Sequence, residues 1–349
     1  MASRRSLNAL PERPAALHAD LRGPAYAPSP LPSPAPERYP RIEPYDSGFL
    51  EAGDGHRLYW EKCGNPHGTP ALFLHGGPGG GCSKTDRRWF DPQKYCIVLF
   101  DQRGCGRSMP QGSLHANTTQ HLIDDIEKLR VHCGVERWVL MGGSWGATLA
   151  LAYGQRFPER VRAMVLRGVF MARRDELRWL YEEGGGASQL FPDAWEQFIA
   201  PIPPAERGDL IGAYYARLTG GDAALEIAAA NAWCAWEDRL TTLLPAPPAC
   251  GPGDPALLTL ARIECHYFRH AAFLAEGQLL ADAHLLHGIP ATIVQGRYDV
   301  IAPPVSAWDL ARAWPQAHLR IVPDGAHASG EPGNLRQLIA ATDGFAASI

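Results

Sequence analysis

The sequence predicts an α/β fold, in which a mostly parallel central sheet carries helices on both faces and an inserted helical cap. Two observations support this. Apolar runs with the length of buried strands alternate with helical patterns from residue 71 to residue 169, and the alternation resumes at Pro290. Between Phe170 and about Gly288 the pattern is helical throughout. Alternation is typical of parallel sheets with right-handed crossovers, and the interruption indicates an insertion between two sheet strands.

Turn signals and periodicity place the individual elements. The segment Gly53-Asp54-Gly55 separates two β-like runs and predicts a hairpin. Strands are predicted at 47–52, 56–63, 71–74, 96–100, 137–141, 161–169, 290–295 and 317–322. Helices of the sheet domain are predicted at 118–133, 147–153, 305–314 and 334–345. Helices of the insertion are predicted at 173–183, 192–199, 205–218, 223–237 and 255–275, with prolines and glycines between them.

Three regions follow from these elements. Residues 39–169 and 289–349 form the predicted catalytic sheet domain, and residues 170–288 form the predicted helical cap. Residues 1–38 are rich in Pro, Ala and Arg, a composition that cannot bury enough apolar surface to fold, so we expect a disordered extension. A transit peptide is an alternative, although the density of proline argues against an amphipathic helix.

Composition narrows the function classes. The 349 residues are 46% hydrophobic and 20% charged with a net charge of −4, which provides no basic surface for nucleic acid. No apolar run reaches the length of a membrane-spanning helix, and no apolar segment typical of a secretory signal follows the first residues. The eight cysteines form no Cys-x-x-Cys pair, so we expect a reducing, cytoplasmic environment without a disulfide framework.

The segment Gly142-Gly143-Ser144-Trp145-Gly146 has the pattern Gly-x-Ser-x-Gly between a predicted strand and a predicted helix. This context is the one that a nucleophile elbow requires, because the serine lies on a strained turn whose neighbours must be small. The alternative is a glycine-rich turn with an ordinary serine, since the bare pattern often occurs by chance. The flanking strand and helix favour a nucleophile at Ser144.

A second glycine-rich loop, His75-Gly-Gly-Pro-Gly-Gly-Gly81, follows the strand at 71–74. A phosphate-binding loop would require Gly-Lys-Ser/Thr at its end, and Cys82-Ser83-Lys84 stands there instead. We therefore interpret the loop as one wall of an oxyanion hole. The predicted donors are the backbone N–H groups of Gly77 and Trp145, the residue after the nucleophile.

Ser144, Asp299 and His327 each follow a predicted strand, at the sheet edge where catalytic groups of α/β proteins gather. Their order along the chain is that of the α/β-hydrolase triad. His327 would take the serine proton, and Asp299 would orient the imidazole. Asp101 and Arg103, in the segment 101–108, are interpreted as holding that loop and not as performing chemistry. The pair His266 and His270 has a spacing that could bind a metal, but such a pair is usually incidental.

From about residue 40 onward the sequence closely resembles the prolyl aminopeptidases, or proline iminopeptidases, of the α/β-hydrolase fold. The resemblance rests on the two glycine motifs above, on Asp101-Gln-Arg-Gly104 and Gly296-Arg-Tyr-Asp299, and on two motifs in the cap. The cap motifs, which the general fold would not share, are Trp233-Cys-Ala-Trp-Glu237 and Ala261-Arg-Ile-Glu-Cys-His-Tyr-Phe268.

The resemblance implies a serine exopeptidase that releases N-terminal proline from peptides without a cofactor or metal. It also implies that Glu237 and Glu264 pair with the substrate ammonium, and that Phe170 and Phe268 line the slot for the proline ring. Leu180 stands where the family often has an aromatic residue. Cys265 replaces a common Asn, and the segment after His327 lacks a bulkier residue before Glu331-Pro332.

Two alternatives remain open at this point. An esterase or amidase for small acyl compounds would use the triad but would not need Glu237 and Glu264. A non-catalytic binding protein on the same scaffold would need neither the triad nor the two glutamates. The number of subunits is left open by the sequence.

Overall fold

A computed structural model of the protein describes residues 38–247 and 251–348. The predicted disordered extension, residues 1–38, lies outside the described residues except for Arg38. The described residues contain eight strands in one sheet: β1 (Asp46–Gly53), β2 (His56–Gly64), β3 (Thr69–Leu74), β4 (Tyr95–Phe100), β5 (Trp138–Gly143), β6 (Val161–Arg167), β7 (Ala291–Gly296) and β8 (Ala317–Val322).

The helices of the described residues fall into two groups. Those that follow sheet strands are α1 (Thr119–His132), α2 (Trp145–Arg156), α10 (Pro304–Ala313) and α11 (Pro332–Ser348). Those between β6 and β7 are α3 (Arg174–Tyr181), α4 (Gly186–Leu190), α5 (Pro192–Ile199), α6 (Leu210–Leu218), α7 (Ala223–Thr241), α8 (Pro255–Arg269) and α9 (Gln278–Ala281). We use the name cap for residues 170–288.

The strand order is β1-β2-β4-β3-β5-β6-β7-β8. The hairpin β1–β2 and the pair β2–β4 are antiparallel, and every pairing from β4 to β8 is parallel. The predicted α/β fold with a mostly parallel sheet is confirmed. In the parallel part, the carboxyl ends of β3, β5, β6, β7 and β8 lie along one edge, where ligands of open α/β sheets bind.

Strand side chains alternate between two hydrophobic cores, one on each face of the sheet. On one face Leu140 and Leu166 pack in a core that includes α1, α2, α10 and the cap. On the other face Val139 and Val165 pack against α11 and the turn around Phe90. The central strands β4 and β5 are buried on both faces and apolar along almost their whole length, as in the parallel sheets of other α/β proteins.

Local capping explains where the long cap helices begin. The aspartates Asp209, Asp222 and Asp254 precede α6, α7 and α8, and each carboxylate accepts a backbone N–H of the first turn. The prediction of one helix over 205–218 was wrong in its first turn, because residues 204–209 form a 3₁₀ helix that ends at the Asp209 cap.

The predicted helix 255–275 is also too long, since α8 ends at Arg269. The next residues, from Ala271 to Phe273, have φ values of 48°, 51° and 55°, which a right-handed helix cannot contain. Side chains of α1 hold this turn, because Thr119 donates to the carbonyl of Ala272 and Gln120 to that of Phe273. Among the described residues, no helix combines the length and the apolar character needed to cross a bilayer.

Candidate active site

Ser144 lies on the tight turn between β5 and α2, with φ 57° and ψ −125°. This positive φ is the strained geometry that a nucleophile elbow imposes on a residue other than glycine. Its backbone N–H is held by the carbonyl of Arg167 on the neighbouring strand, at 2.9 Å. A side chain at position 146 would place its Cβ 2.1 Å from the carbonyl oxygen of Leu74, so the close approach of α2 to β3 requires Gly146.

His327 and Asp299 follow β8 and β7, and the structure brings them into direct contact. The His327 Nδ1 atom lies 2.8 Å from Oδ2 and 3.0 Å from Oδ1 of Asp299, and both side chains are buried. The aspartate is fixed in turn by the backbone N–H of Ala302 at 2.8 Å. A Cβ at Gly168, where φ is 53°, would lie 2.9 Å from Cε1 of His327, so this position must be glycine to leave room for the imidazole.

Burial lowers the pKa of His327, while the negative charge of Asp299 opposes this shift and the positive charge of Arg167 adds to it. The imidazole is therefore neutral at neutral pH and can accept a proton. Arg167 also donates from Nη1 to the backbone carbonyl of His327, at 2.9 Å. The arginine thus holds the backbone of the histidine, and Asp299 holds its ring.

Ser144 and His327 line one cavity of about 280 Å³ at the carboxyl edge of the sheet. We call it the catalytic cavity. The predicted oxyanion residue Gly77 and the cap residues predicted to bind substrate line the same cavity: Phe170, Glu237, Glu264 and Phe268. Trp145 is the first residue of α2, where backbone N–H groups have no acceptor within the helix.

The segment after β4 supports the loops that carry the predicted oxyanion donors. The carboxylate of Asp101 accepts from the N–H of Cys82 at 2.7 Å and from Arg107, and Arg103 forms a buried ion pair with Asp125. The interpretation of this segment as structural is confirmed. Reasoning from the sequence missed Gln102, which accepts from the Trp145 indole at 2.9 Å and donates to the carbonyl of His75 at 3.0 Å. Gln102 therefore connects the elbow to the glycine loop.

Glu237 on α7 and Glu264 on α8 enter the catalytic cavity from the cap. The Trp233 indole donates to Oε2 of Glu264 at 2.8 Å, and the Tyr181 hydroxyl donates to Oε1 of Glu237. The rings of Tyr181 and Trp233 stack with centroids 4.6 Å apart. Aromatic side chains thus hold both carboxyl groups in place at the wall of the cavity.

Burial raises the pKa of Glu237 to about 7, and the hydrogen bond from Tyr181 only partly opposes the shift. Burial raises the pKa of Glu264 well above its usual range, and the charge of Glu237 adds to this effect. Two carboxylates so close in an apolar setting cannot both ionise readily without a cation. The raised pKa values therefore favour a retained proton on the pair near neutral pH.

The apolar end of the catalytic cavity is formed by the rings of Phe170 and Phe268, which meet edge to face with centroids 5.6 Å apart. Leu180, at a position where the family often has an aromatic residue, lines the same cavity. Ile301, which follows Asp299 closely in sequence, also lines it and was missed because nothing in its sequence context marks it.

A third residue whose role the sequence did not indicate is Glu331, between His327 and α11. Its Oε1 accepts the N–H of Leu243, just after α7, at 2.8 Å, and its Oε2 accepts the N–H of Ala326. The N–H of Ala328 donates to the carbonyl of Thr241, at 2.9 Å. The end of the helix that carries Glu237 is therefore bonded directly to the loop that carries His327.

The histidine pair of α8 has structural contacts. His266 Nε2 lies 3.0 Å from the carbonyl of Asn117, and His270 Nδ1 lies 2.7 Å from the carbonyl of His266. Within 38–247 and 251–348, no cluster of three or more His, Cys, Asp or Glu side chains is placed to hold a metal ion.

Comparisons with a family model and with related sequences both place the chain in one fold family. Residues 69–333 match the model of the α/β-hydrolase fold family. A proline iminopeptidase of Xylella fastidiosa strain Temecula1 is 54% identical over 310 residues, which are 88% of this chain and 98% of the relative. A proline iminopeptidase of Arabidopsis thaliana is 49% identical over 309 residues, covering 87% of this chain and 81% of the relative.

Solved structures agree on the fold. A proline iminopeptidase-related protein of Thermus thermophilus superposes with a TM-score of 0.58 at 23% identity, covering 88% of this chain and 98% of that chain. At this identity the superposition supports the architecture alone.

Proposed function

The chain belongs to the proline iminopeptidase family of the α/β-hydrolase fold, and from this membership we propose the residue roles by which it releases N-terminal proline from peptides. The enzyme is a prolyl aminopeptidase, and its serine mechanism follows from the family. We assign Ser144 as the nucleophile, His327 as the general base and acid, and Asp299 as the residue that orients the histidine.

The chemistry begins when the Ser144 hydroxyl attacks the prolyl carbonyl and His327 accepts the hydroxyl proton. The resulting oxyanion is stabilised by the N–H groups of Gly77 and Trp145. Collapse of the tetrahedral intermediate breaks the C–N bond, and His327 donates its proton to the leaving amine. His327 then activates a water molecule that hydrolyses the prolyl ester, which releases proline and restores Ser144.

The two cap acids explain why cleavage is restricted to the bond after the N-terminal residue. An enzyme that removes one residue must sense the free amine at a fixed distance from its nucleophile. Glu237 and Glu264 lie in the catalytic cavity with Ser144, and a prolyl ammonium would provide the positive charge that lets both ionise. The placement of this acid pair, with Glu264 buried, in the nucleophile's own cavity is the observation that supports the proposal most directly.

The proline ring would lie against Phe170 and Phe268, which line the same cavity. Contact with two aromatic rings favours a compact apolar ring, and the cavity volume of about 280 Å³ is large enough to hold it. We propose a reducing, cytoplasmic setting, which is supported by free thiols at Cys63, Cys82, Cys96, Cys105, Cys133 and Cys265.

The test compares hydrolysis of proline β-naphthylamide with that of N-acetyl-proline β-naphthylamide. We expect cleavage of the free-amine substrate only, because acetylation removes the charge that the acid pair binds. The Ser144→Ala variant serves as the control for background hydrolysis. Equal cleavage of both substrates would show that the cap acids do not recognise the substrate amine, and it would favour a general esterase or amidase. No cleavage of either by folded enzyme would contradict the substrate assignment and favour a binding protein.

A further inference from the structure

Gln295 is a buried polar residue near the end of the mostly apolar strand β7. Its side chain is fully buried, and the two residues before it, Ile293 and Val294, pack in the two hydrophobic cores of the sheet. An amide side chain in such a place costs free energy unless its polar atoms are hydrogen-bonded. The partners of Gln295 therefore indicate what this residue contributes to the fold.

The side chain of Gln295 bonds to three separate positions of the chain. Its Nε2 donates to Oδ2 of Asp299 at 3.1 Å and to the carbonyl of Ala302 at 2.9 Å. Its Oε1 accepts the N–H of Val169 at 3.1 Å. These partners determine the orientation of the amide, because a carboxylate and a carbonyl can only accept here and a backbone N–H can only donate.

The bond from Gln295 completes the support of the Asp299 carboxylate. Oδ1 accepts the N–H of Ala302 at 2.8 Å, and Oδ2 accepts from Gln295. With a fixed donor on each oxygen, the carboxylate cannot rotate away from the His327 ring without breaking a hydrogen bond. The second bond of Nε2, to the carbonyl of Ala302, holds the same turn in place.

The amide oxygen of Gln295 supports the backbone on the other side of the imidazole. Strand β6 ends at Arg167, and Gln295 accepts the N–H of Val169, two residues further on. Between them, Gly168 lies so close to the ring that a Cβ there would be 2.9 Å from Cε1 of His327. One side chain thus holds both the carboxylate that contacts His327 and the backbone against which the ring rests.

We propose that Gln295 is a positioning residue of the triad, which holds Asp299 in the orientation that aligns His327 with Ser144. The inference rests on the proposed roles of the triad and deepens them. Asp299 and His327 act on every acyl substrate, so loss of the Gln295 amide should lower kcat for all of them. The value of KM should change little, because Gln295 acts through Asp299.

The experiment uses Gln295→Met, which keeps an unbranched side chain of similar length and removes the hydrogen bonds. We expect kcat for proline β-naphthylamide and for p-nitrophenyl acetate to fall by about 10- to 100-fold, the effect of one hydrogen bond to a charged group. In an Asp299→Ala background the same substitution should change kcat by less than about twofold, because its target is already absent. Turnover is corrected for the background measured with Ser144→Ala.

Two control variants separate this role from general loosening of the structure. Thr148→Val removes a hydrogen bond to the same loop after β6, from the Thr148 hydroxyl to the carbonyl of Phe170 at 2.6 Å, and leaves the bonds of Asp299 in place. Gln155→Met removes another buried amide, which donates to the carbonyl of Leu279 at 2.7 Å. Both controls should lower the melting temperature and leave kcat for p-nitrophenyl acetate as in the wild type.

If Gln295→Met does not fold, Gln295→Asn takes its place. The shorter side chain keeps an amide but withdraws it from Asp299 by one methylene group, so the same fall in kcat is expected, again absent in the Asp299→Ala background.

Three results would overturn the role of Gln295 while the proposed function stands. They are an unchanged kcat in the folded variant, a fall of the same factor in the Asp299→Ala background, and an equal fall in Thr148→Val. Wild-type turnover by Asp299→Ala would instead overturn the proposed triad, and the role of Gln295 with it.

Discussion

The sheet and the cap position their functional side chains by different means. In the sheet, Ser144, Asp299 and His327 each follow a strand, so the strand register and tight turns set their places. In the cap, Glu237 and Glu264 come from two helices and are held by aromatic side chains distant in sequence, such as Tyr181, 56 residues before Glu237. Backbone geometry therefore positions the predicted catalytic triad, whereas side-chain packing positions the two glutamates predicted to bind the substrate amine.

This difference has an energetic consequence. The triad residues are satisfied in the free enzyme, because Asp299 and His327 are hydrogen-bonded to each other. Ionisation of the acid pair is costly, because burial raises both pKa values, and either a retained proton or a cation would relieve that cost. Replacement of Ser144 should therefore abolish turnover and leave stability almost unchanged, whereas replacement of the cap acids should alter selectivity and stability together.

The largest effect is expected for Ser144→Ala. Removal of the nucleophile should lower kcat for proline β-naphthylamide by about 10⁵-fold or more, because the other triad residues have no function without it. The melting temperature should stay at the wild-type value, which checks that the fold is intact. Substantial turnover by the folded variant would show that another group attacks the carbonyl. Ser144 would then not be the nucleophile.

Glu264→Gln should separate recognition from chemistry. The Gln carbonyl can still accept the Trp233 hydrogen bond, but the charge that we propose pairs with the ammonium is lost. We expect kcat/KM for proline β-naphthylamide to fall by about 10²-fold, the size of a charged hydrogen bond, while hydrolysis of p-nitrophenyl acetate is unchanged. An equal decrease in kcat/KM for both substrates would mean that Glu264 supports the triad and does not bind the substrate amine.

Glu331→Gln tests the connection between the two regions. The Gln side chain can accept the N–H of Leu243 or that of Ala326 but cannot serve both as the carboxylate does, so the histidine loop and the end of α7 should lose alignment. We expect kcat to fall by about five- to tenfold, corresponding to one weakened hydrogen bond, with a smaller change in KM.

Glu276→Gln is the matched control for that experiment. Glu276 is an exposed cap acid that also accepts a backbone N–H, from Arg174, far from the histidine loop. Its replacement should leave kcat unchanged. If Glu331→Gln behaves like the control, the hydrogen bonds between α7 and the histidine loop do not contribute to turnover.

The same contrast explains how much the sequence predicts. The order of elements in the sheet, the elbow and the positions of Asp299 and His327 follow from local patterns, because each depends on a strand and the turn after it. The roles of Gln102 and Glu331 were not predicted from the sequence. They depend on partners such as Trp145 and Leu243, which only the tertiary structure brings near.

The cap was harder to interpret for the same reason. The periodicity of α7 and α8 was predicted, but a Glu beside two Trp residues is ambiguous until the neighbouring helix is known. The resemblance to a family, and not the residue pattern, indicated Glu237 and Glu264. The ends of helices near Asp209 and Ala271 were misplaced, because a 3₁₀ turn and a left-handed turn there depend on local capping and on contacts with α1.

The smallest expected effect concerns the stability of the free enzyme. The pKa of Glu237 is raised to about 7 in the folded protein from an ordinary value of 4.5. Between these values the folded state binds more protons than the unfolded state, so stability declines as pH rises through this range and then levels off. Glu237→Gln removes this loss and also relieves Glu264 of a neighbouring charge.

We therefore expect the melting temperature of Glu237→Gln to exceed that of the wild type by about 2–4 °C at pH 8, and the difference to shrink toward zero at pH 5. Differential scanning fluorimetry at the two pH values measures this, with Glu276→Gln as the control that should track the wild type. A variant less stable than the wild type at pH 8 would show that the carboxylate stabilises the free cap. In that case recognition would carry no stability cost, and the contrast between cap and sheet would disappear.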